Sequence, residues 1–365
     1  MNYTKVGIDA SKVKLVGAYR MNGVGEVRMV TVANRKEALK PWIEKLQMQG
    51  MVQVCYEASS VGYEIYRWVT GLGADCEVVA PSLIPKKAGH HVKTDTRDAK
   101  ELLSLFEADL LTSVHVPTES EEALRDLVRS RGDMRKTLTQ HKHRLNPLMQ
   151  RHGRIYPGKA PWTQKHMNWI RRETLTEQAA ESTKAFYLRW VEQSQGELER
   201  VEVAIREQAP KHQATYALAQ RFTGFYGIDT MSGIGLACEL LDVRRFQKPG
   251  ELMAFVGLTG REYSSGPWVR RGSITKTGNA RVRHLLIQAA WKYTRKPLWS
   301  ERLRAHWKTQ PVALETIAQK AKERLFKRYH HLVNRGKQKQ KAVVAIAREL
   351  AGFLGAAGQI EATAA

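Results

Sequence analysis

Lys93-Thr94-Asp95-Thr96-Arg97-Asp98-Ala99-Lys100 is the stretch from which the rest of the chain is read. Thr94 is placed to cap a helix, and Ala99, Leu102, Leu103, Leu105 and Phe106 continue an apolar stripe behind it. Asp95 and Asp98 then share one helix face and aim at one spot. Two carboxylates that close repel each other unless a positive charge lies between them. Two nearby lysines and an arginine can supply that charge. So can a bound divalent cation, which would use both carboxylates together. A D-x-x-D pair at a helix start is by default a pair of solvated acids favouring the helix dipole, so the metal reading needs further acids.

Upstream lie two. Short apolar runs at Val6 to Asp9, Lys14 to Tyr19 and Glu26 to Val32 read as strands, followed by a helix from Lys36 to Gln47. A strand from Val52 to Tyr56 ends at Glu57, a helix follows from Gly62 to Gly71, and a strand from Glu77 to Ala80 is stopped by Pro81. The order β-β-β-α-β-α-β-α predicts a mixed sheet covered by helices, whose sites lie at strand ends. Asp9 closes the first strand in GIDASK. Glu57 closes the fourth in CYEAS, a strand that reads as buried, where an isolated carboxylate is costly. Asp9, Glu57, Asp95 and Asp98, in that order, resemble the Asp-Glu-Asp-Asp tetrad of the RuvC-like branch of the RNase H-like fold. Such hard oxygen ligands suit Mg²⁺ or Mn²⁺, which can activate a nucleophile and stabilise the leaving oxygen of a phosphodiester.

Charge narrows the partner. The 365 residues carry 59 Lys and Arg against 36 Asp and Glu, a net charge of +23 that calls for a polyanion. No apolar run approaches the ~20 residues needed to span a bilayer, and the first residues lack the apolar core of a signal peptide. Cys55, Cys76 and Cys238 are widely spaced, with no C-x-x-C pair, which fits a reducing cytoplasm. The expected place is therefore the cytoplasm.

From Ser120 to His152 the periodicity changes to that of a long helix with a coiled-coil-like seam: Leu124, Leu127, Met134, Leu138, Leu145 and Leu148, interrupted by Arg131 and His141, with a kink expected at Pro147. A second helical stretch, about Glu173 to Gln208, is expected to return antiparallel after a loop containing Gly153, Pro157, Gly158 and Pro161. Between Met134 and Arg172 ten Lys or Arg residues, Arg144, Arg151 and Arg154 among them, occur without a single acid. Tyr156, Trp162 and Trp169 are interleaved, the pattern of a surface that follows phosphates and stacks bases, unless the aromatics are simply core. Downstream, Met231-Ser232-Gly233-Ile234-Gly235-Leu236 reads either as a phosphate-approaching helix-hairpin-helix turn or as a plain glycine-containing helix turn. After Glu262 no acid appears until Glu301, while Arg270, Arg271, Lys276, Arg281 and Arg283 follow Ser265. This segment offers a hydroxyl amid phosphate-binding donors, although a loop serine before Gly-Pro is by default a turn residue. The basic run from Arg324 to Lys341 suits RNA or an ordinary basic helix and loop, and the end after Ala351 is expected to fray.

GIDASK, CYEAS and KTDTRDAK, together with SGIG, the stretch PGELMAFVGLTGREYSSG and GSITKTGNARVRHLL, resemble the DEDD transposases of bacterial insertion sequences, the group described as bridge-RNA-guided recombinases. The resemblance runs from about Lys5 to near Trp299. It implies an α/β plus α chain with an RNase H-like (RuvC-like) catalytic domain at 1–115, a coiled-coil helical insert at 116–212, a mainly helical transposase domain with a serine loop at 213–345, and a flexible tail at 346–365. It further implies Mg²⁺, replaceable by Mn²⁺, on Asp9, Glu57, Asp95 and Asp98. Ser265 would be the nucleophile forming a covalent protein-DNA intermediate, with Ser264 standing where the family often has an acid. Donor and target DNA, a noncoding guide (bridge) RNA and a dimer or tetramer of the chain are the implied partners. Two other readings of the residues stay open: a Holliday-junction resolvase-like nuclease in which water attacks at the tetrad, and a non-catalytic nucleic-acid-binding protein.

Overall fold

The computed structural model describes residues 3–85 and 94–360. Lys93, the first residue of the opening stretch, and the last five residues of the expected tail lie outside them. The chain divides into two compact units, Met1–Pro117 and Thr118–Ala365.

The first unit is built on a five-stranded sheet. Its strands are β1 (Tyr3–Ala10), β2 (Lys14–Tyr19), β3 (Arg28–Ala33), β4 (Met51–Glu57) and β5 (Asp75–Val79), in the spatial order β3-β2-β1-β4-β5. β1 to β3 form an antiparallel meander, whereas β4 pairs parallel with both β1 and β5. Helices α1 (Lys36–Gln47) and α2 (Glu64–Gly71) lie in the connections that lead into β4 and β5. Alternation sorts the strand residues between two faces. Val6, Ile8, Val54, Tyr56 and Val78 pack with Leu39, Trp42, Ile43 and Leu46 of α1 and with Ile65 and Val69 of α2. The opposite face receives α3 (Asp95–Glu107): Ala99 and Leu103 meet Val16 and Ala18, while Leu102 and Phe106 meet Cys55 and Val79. Gly7 of β1 is required at this crossing, since a Cβ there would come 2.5 Å from the Leu103 nitrogen and 2.9 Å from the Ala99 oxygen.

In the second unit, α4 (Glu119–Arg151) starts from a capping box made by Thr118 and Glu121 and continues past Pro147. The expected return helix is α6 (Gln178–Gln208), and the stretch before it, expected to be loop, contains a further helix, α5 (Gln164–Arg172). The Thr163 hydroxyl caps α5, accepting from the His166 N–H, and extended backbone at Glu173 ends it. α4 and α6 lie antiparallel. The two polar interruptions of the α4 seam find partners there: Arg131 pairs with Glu202 at 2.7 Å, and His141 Nδ1 is 2.8 Å from the Ser194 hydroxyl.

The remaining elements are α7 (Gln213–Thr223), α8 (Thr230–Leu240), α9 (Pro249–Phe255), a hairpin of β6 (Gly260–Ser265) and β7 (Trp268–Ile274), α10 (Ala280–Ala290), α11 (Glu301–Trp307), α12 (Val312–Asn334) and α13 (Lys339–Gly358). Their shared core includes Phe222, Phe225, Ile234, Leu286, Tyr293, Leu325, Ile346 and Leu350. Residues 346–358, expected within a flexible tail, are thus helix with one face buried. Small residues explain the misreading. Ala347, Ala351, Gly355 and Ala357 let α13 sit deep among its neighbours, and a composition that suggests fraying in isolation suits a close-packed interior helix.

Candidate catalytic site

The register of the sheet brings the first two acids together. Gly7 pairs with Cys55 and Ile8 with Tyr56, so Asp9 and Glu57 follow at the same level on neighbouring parallel strands. Both share strand parity with Gly7 and Cys55, the residues that face α3. α3 runs opposite to β1: Lys5 reaches the Phe106 carbonyl near the helix end, Gly7 sits under Ala99, and the first helical turn therefore arrives beside Asp9. Asp95 and Asp98 lie in that turn, begun by Thr94, whose hydroxyl accepts from the Arg97 N–H. Glu57 is exposed, unlike the buried strand interior before it, so the expected cost of burying it does not arise.

Lys14, which no sequence motif singled out, completes this end of the sheet. Its ammonium lies 2.8 Å from Asp95 Oδ2, with both side chains about half exposed. The hydrogen bond to Asp95 and the charges of Asp95 and Asp9 push the Lys14 pKa above its ordinary value. The available signal was its place just after Asp9, at the start of the antiparallel neighbour.

Among the described residues no three acids, histidines or cysteines are gathered closely enough to hold a metal ion. The carboxylates share an end of the sheet without closing around a point. In kind they fit a divalent cation. All four are hard oxygen donors. A positive group, the Lys14 ammonium, is already drawn to Asp95 within the field of Asp9.

The serine occupies a different setting. Ser265 ends β6, and Gly266, at φ +56°, and Pro267 turn the chain into β7. Every residue from Gly260 to Ser273 is exposed. Ser264 donates to Glu262 Oε1 at 2.8 Å, and Arg271 lies 3.5 Å from the other oxygen of that carboxylate. Arg270 and Lys276 are exposed. Arg283 instead donates to the Val256 and Thr277 carbonyls, and Arg281 reaches the Arg129 carbonyl and Asp133, so both brace the base of the hairpin.

Near that base, Glu239 of α8 is buried and accepts from Arg129 Nε and Nη2 at 2.7 and 2.9 Å and from Asn279 Nδ2 at 2.8 Å. Burial pushes this carboxyl up, but the hydrogen bonds from Arg129 and Asn279 outweigh it and hold the pKa below the ordinary value. Asn279 also caps α10, so one residue links the hairpin's exit to the Arg129–Glu239 ion pair between α4 and α8. Nothing in the local sequence announced this network, whose members are far apart in the chain.

Two other candidate surfaces turn inward. Gly233 lies inside α8, where a Cβ would come 2.5 Å from the Thr223 hydroxyl, so it serves contact between α7 and α8, and Asp229 already caps that helix start. Tyr156, Trp162 and Trp169 close around the buried His166 ring, and both tryptophans pack against the apolar cluster of Leu145, Met167 and Ile170. Arg144 and Arg151 stay exposed, while Arg154 is held by Glu173 and the Thr174 carbonyl.

A sheet end with four carboxylates and an exposed basic hairpin with a serine, in a chain of charge +23, suit work on nucleic-acid phosphates. Known proteins narrow the class. A family model described as "Transposase", for DEDD transposases of the IS110 type, matches residues 6–153, and one described as "Transposase IS116/IS110/IS902 family" matches residues 219–307. The Sinorhizobium fredii protein y4qE, assigned by name to the transposases, is 39% identical over 355 residues, covering 96% of this chain and 87% of its own. The transposase for insertion sequence element IS1533 of Leptospira borgpetersenii is 26% identical over 332 residues, 90% of this chain and 96% of its own. That for IS1111A of Coxiella burnetii is 21% identical over 325 residues, 82% of each chain. The chain belongs to the IS110 family of DEDD transposases, enzymes that act on DNA. The family points to a divalent metal. No helix among the described residues is long and apolar enough to cross a membrane.

Proposed function

We propose that the chain mobilises its own insertion sequence by Mg²⁺-dependent strand exchange, with Ser265 as nucleophile and a noncoding guide RNA choosing donor and target DNA. The observation that carries this reading is the convergence of Asp9, Glu57, Asp95 and Asp98 on one end of the sheet, from separate but mutually packed elements. The mixed sheet with α3 laid across it supports an RNase H-like, RuvC-like catalytic domain, and the α4–α6 pairing supports a coiled-coil insert.

A metal held by the four carboxylates, Mg²⁺ or Mn²⁺, would supply charge stabilisation at the attacked phosphate and its leaving oxygen. Asp95 and Asp98 would contribute from one helix turn, with Lys14 giving up its place on Asp95. The Ser265 oxygen attacks phosphorus: an ester bond from serine to phosphorus forms, the bond to the leaving sugar oxygen breaks, the serine proton passes to solvent, and the leaving oxygen takes one up. A hydroxyl of the other strand reverses the step and releases the enzyme. The tetrad and the serine reside in different compact units, which suits an assembly of several copies. An exposed Ser265 among basic residues can meet a phosphate carried on another surface.

Strand exchange on DNA carrying the element's ends, with its flanking RNA present, tests the reading. Ser265→Ala abolishes exchange if serine is the nucleophile. A variant that still cuts DNA with metal would assign the chain to resolvase-like chemistry instead. RNA that co-purifies with the protein should be one discrete species from the element's own flank.

A further inference from the structure

The two faces of the β6–β7 hairpin are unlike, and the proposed reaction uses one hydroxyl of one of them. Cross-strand pairing sets Ser265 opposite Trp268 and Tyr263 opposite Arg270, so these four residues share a face. Ser264 opposite Val269 and Glu262 opposite Arg271 make up the other. On that second face the charge is closed, because the Ser264 hydroxyl and Arg271 both engage Glu262. On the first face Arg270 has no acidic partner among the described residues. Trp268 is 81% exposed and Tyr263 68%.

Two large aromatics that far into water ask for something to cover them, and their neighbours say what. Arg270 favours an anion, and the segment from Tyr263 to Ser300 contains no acid to compensate it. Aromatic rings beside an uncompensated guanidinium are the composition of a surface that stacks bases and grips the phosphate between them. Tyr263 and Trp268 are diagonal neighbours, about 7–8 Å apart along such a ladder, which leaves room for a base between the rings. Paired, stacked DNA presents no free base face, so the ligand is a strand whose bases are opened from the duplex.

We propose that Trp268 and Tyr263 stack on bases of a locally unpaired DNA strand while Arg270 takes the adjoining phosphate. The strand is thereby presented to Ser265, not to Ser264. The presentation step rests on the reading of Ser265 as nucleophile; the stacking face does not. Trp268 and Tyr263 are positioning residues, and Trp268 is exposed enough that its replacement leaves the fold intact.

Binding of a short oligothymidine to the full-length protein tests the stacking directly. Trp268→Ala should weaken it about tenfold or more, Trp268→Phe should restore most of that loss, and binding of a duplex of equal length should barely change. Arg270→Ala should lower the slope of log affinity against log salt by roughly one. Wild-type affinity for the oligothymidine in Trp268→Ala would overturn the proposal. So would a Trp268→Ala protein that binds it normally but loses self-association in sedimentation, since the face would then join copies of the chain. Strand exchange by Ser265→Ala separates the two claims. If it persists while Trp268→Ala binds weakly, the nucleophile assignment fails and the stacking face stands.

Discussion

The acids at the sheet end ride on elements whose backs are buried. β1 and β4 are paired in a fixed register, and α3 is pinned over Gly7, where a single added Cβ would collide with backbone. The serine stands at the tip of a two-stranded hairpin with every residue from Gly260 to Ser273 exposed, held only at its foot. A lone hairpin of that kind is marginal by itself. The backbones that carry the carboxylates are therefore set by the packed core, whereas the hairpin's exposed faces take no part in a core. In the proposed reaction, metal ligands would need fixed positions and a nucleophile that must reach DNA would benefit from a projecting, solvent-facing arm.

Breaking the rigid region should cost most. Asp9→Ala or Asp98→Ala should lower strand exchange by about a thousandfold or more, with thermal unfolding little changed, if the carboxylates act through one metal. Unaltered exchange in either variant would reduce them to solvated acids. Next comes the foot of the hairpin. Glu239→Ala leaves Arg129, whose guanidinium is partly solvated, and Asn279 without their buried acceptor and should destabilise the helical unit by about 1–3 kcal/mol in denaturant unfolding.

Glu239→Gln sharpens the same point through pH. The carboxyl is held below its ordinary 4.5 in the folded chain, so its stabilisation is full above that pH and is lost as pH falls through the folded value. The wild type should lose stability below about pH 4.5, and E239Q should lose less over the same range. Thr118→Ala, which removes the capping box of α4 and belongs to neither region, should cost only about 1 kcal/mol and leave strand exchange intact.

Much of the rigid region was legible. A short apolar run located β2, and the helix expected after the third strand located α1, at their observed limits, Lys14–Tyr19 and Lys36–Gln47, and Thr94 as a cap foretold α3. The Lys14–Asp95 pair was not, because an ion pair between a strand start and a helix far along the chain leaves no local trace. The same holds for Arg129, Glu239 and Asn279. α5 was missed because basic and aromatic residues in its neighbourhood read as surface, while the fold turns the aromatics onto His166. Conversely, in sequence only the family resemblance distinguished Ser265 from Ser264. Strand parity separates them, putting Ser264 with Glu262 and Ser265 with Arg270.

Trapping the protein on DNA that carries a nick opposite the exchange point, then digesting it and locating the nucleotide-modified peptide by mass spectrometry, addresses the central claim most directly. The account predicts a metal-dependent adduct on Ser265, absent from Ser265→Ala and retained in Ser264→Ala. An adduct on Ser264, or cut ends with no protein attached, would contradict it.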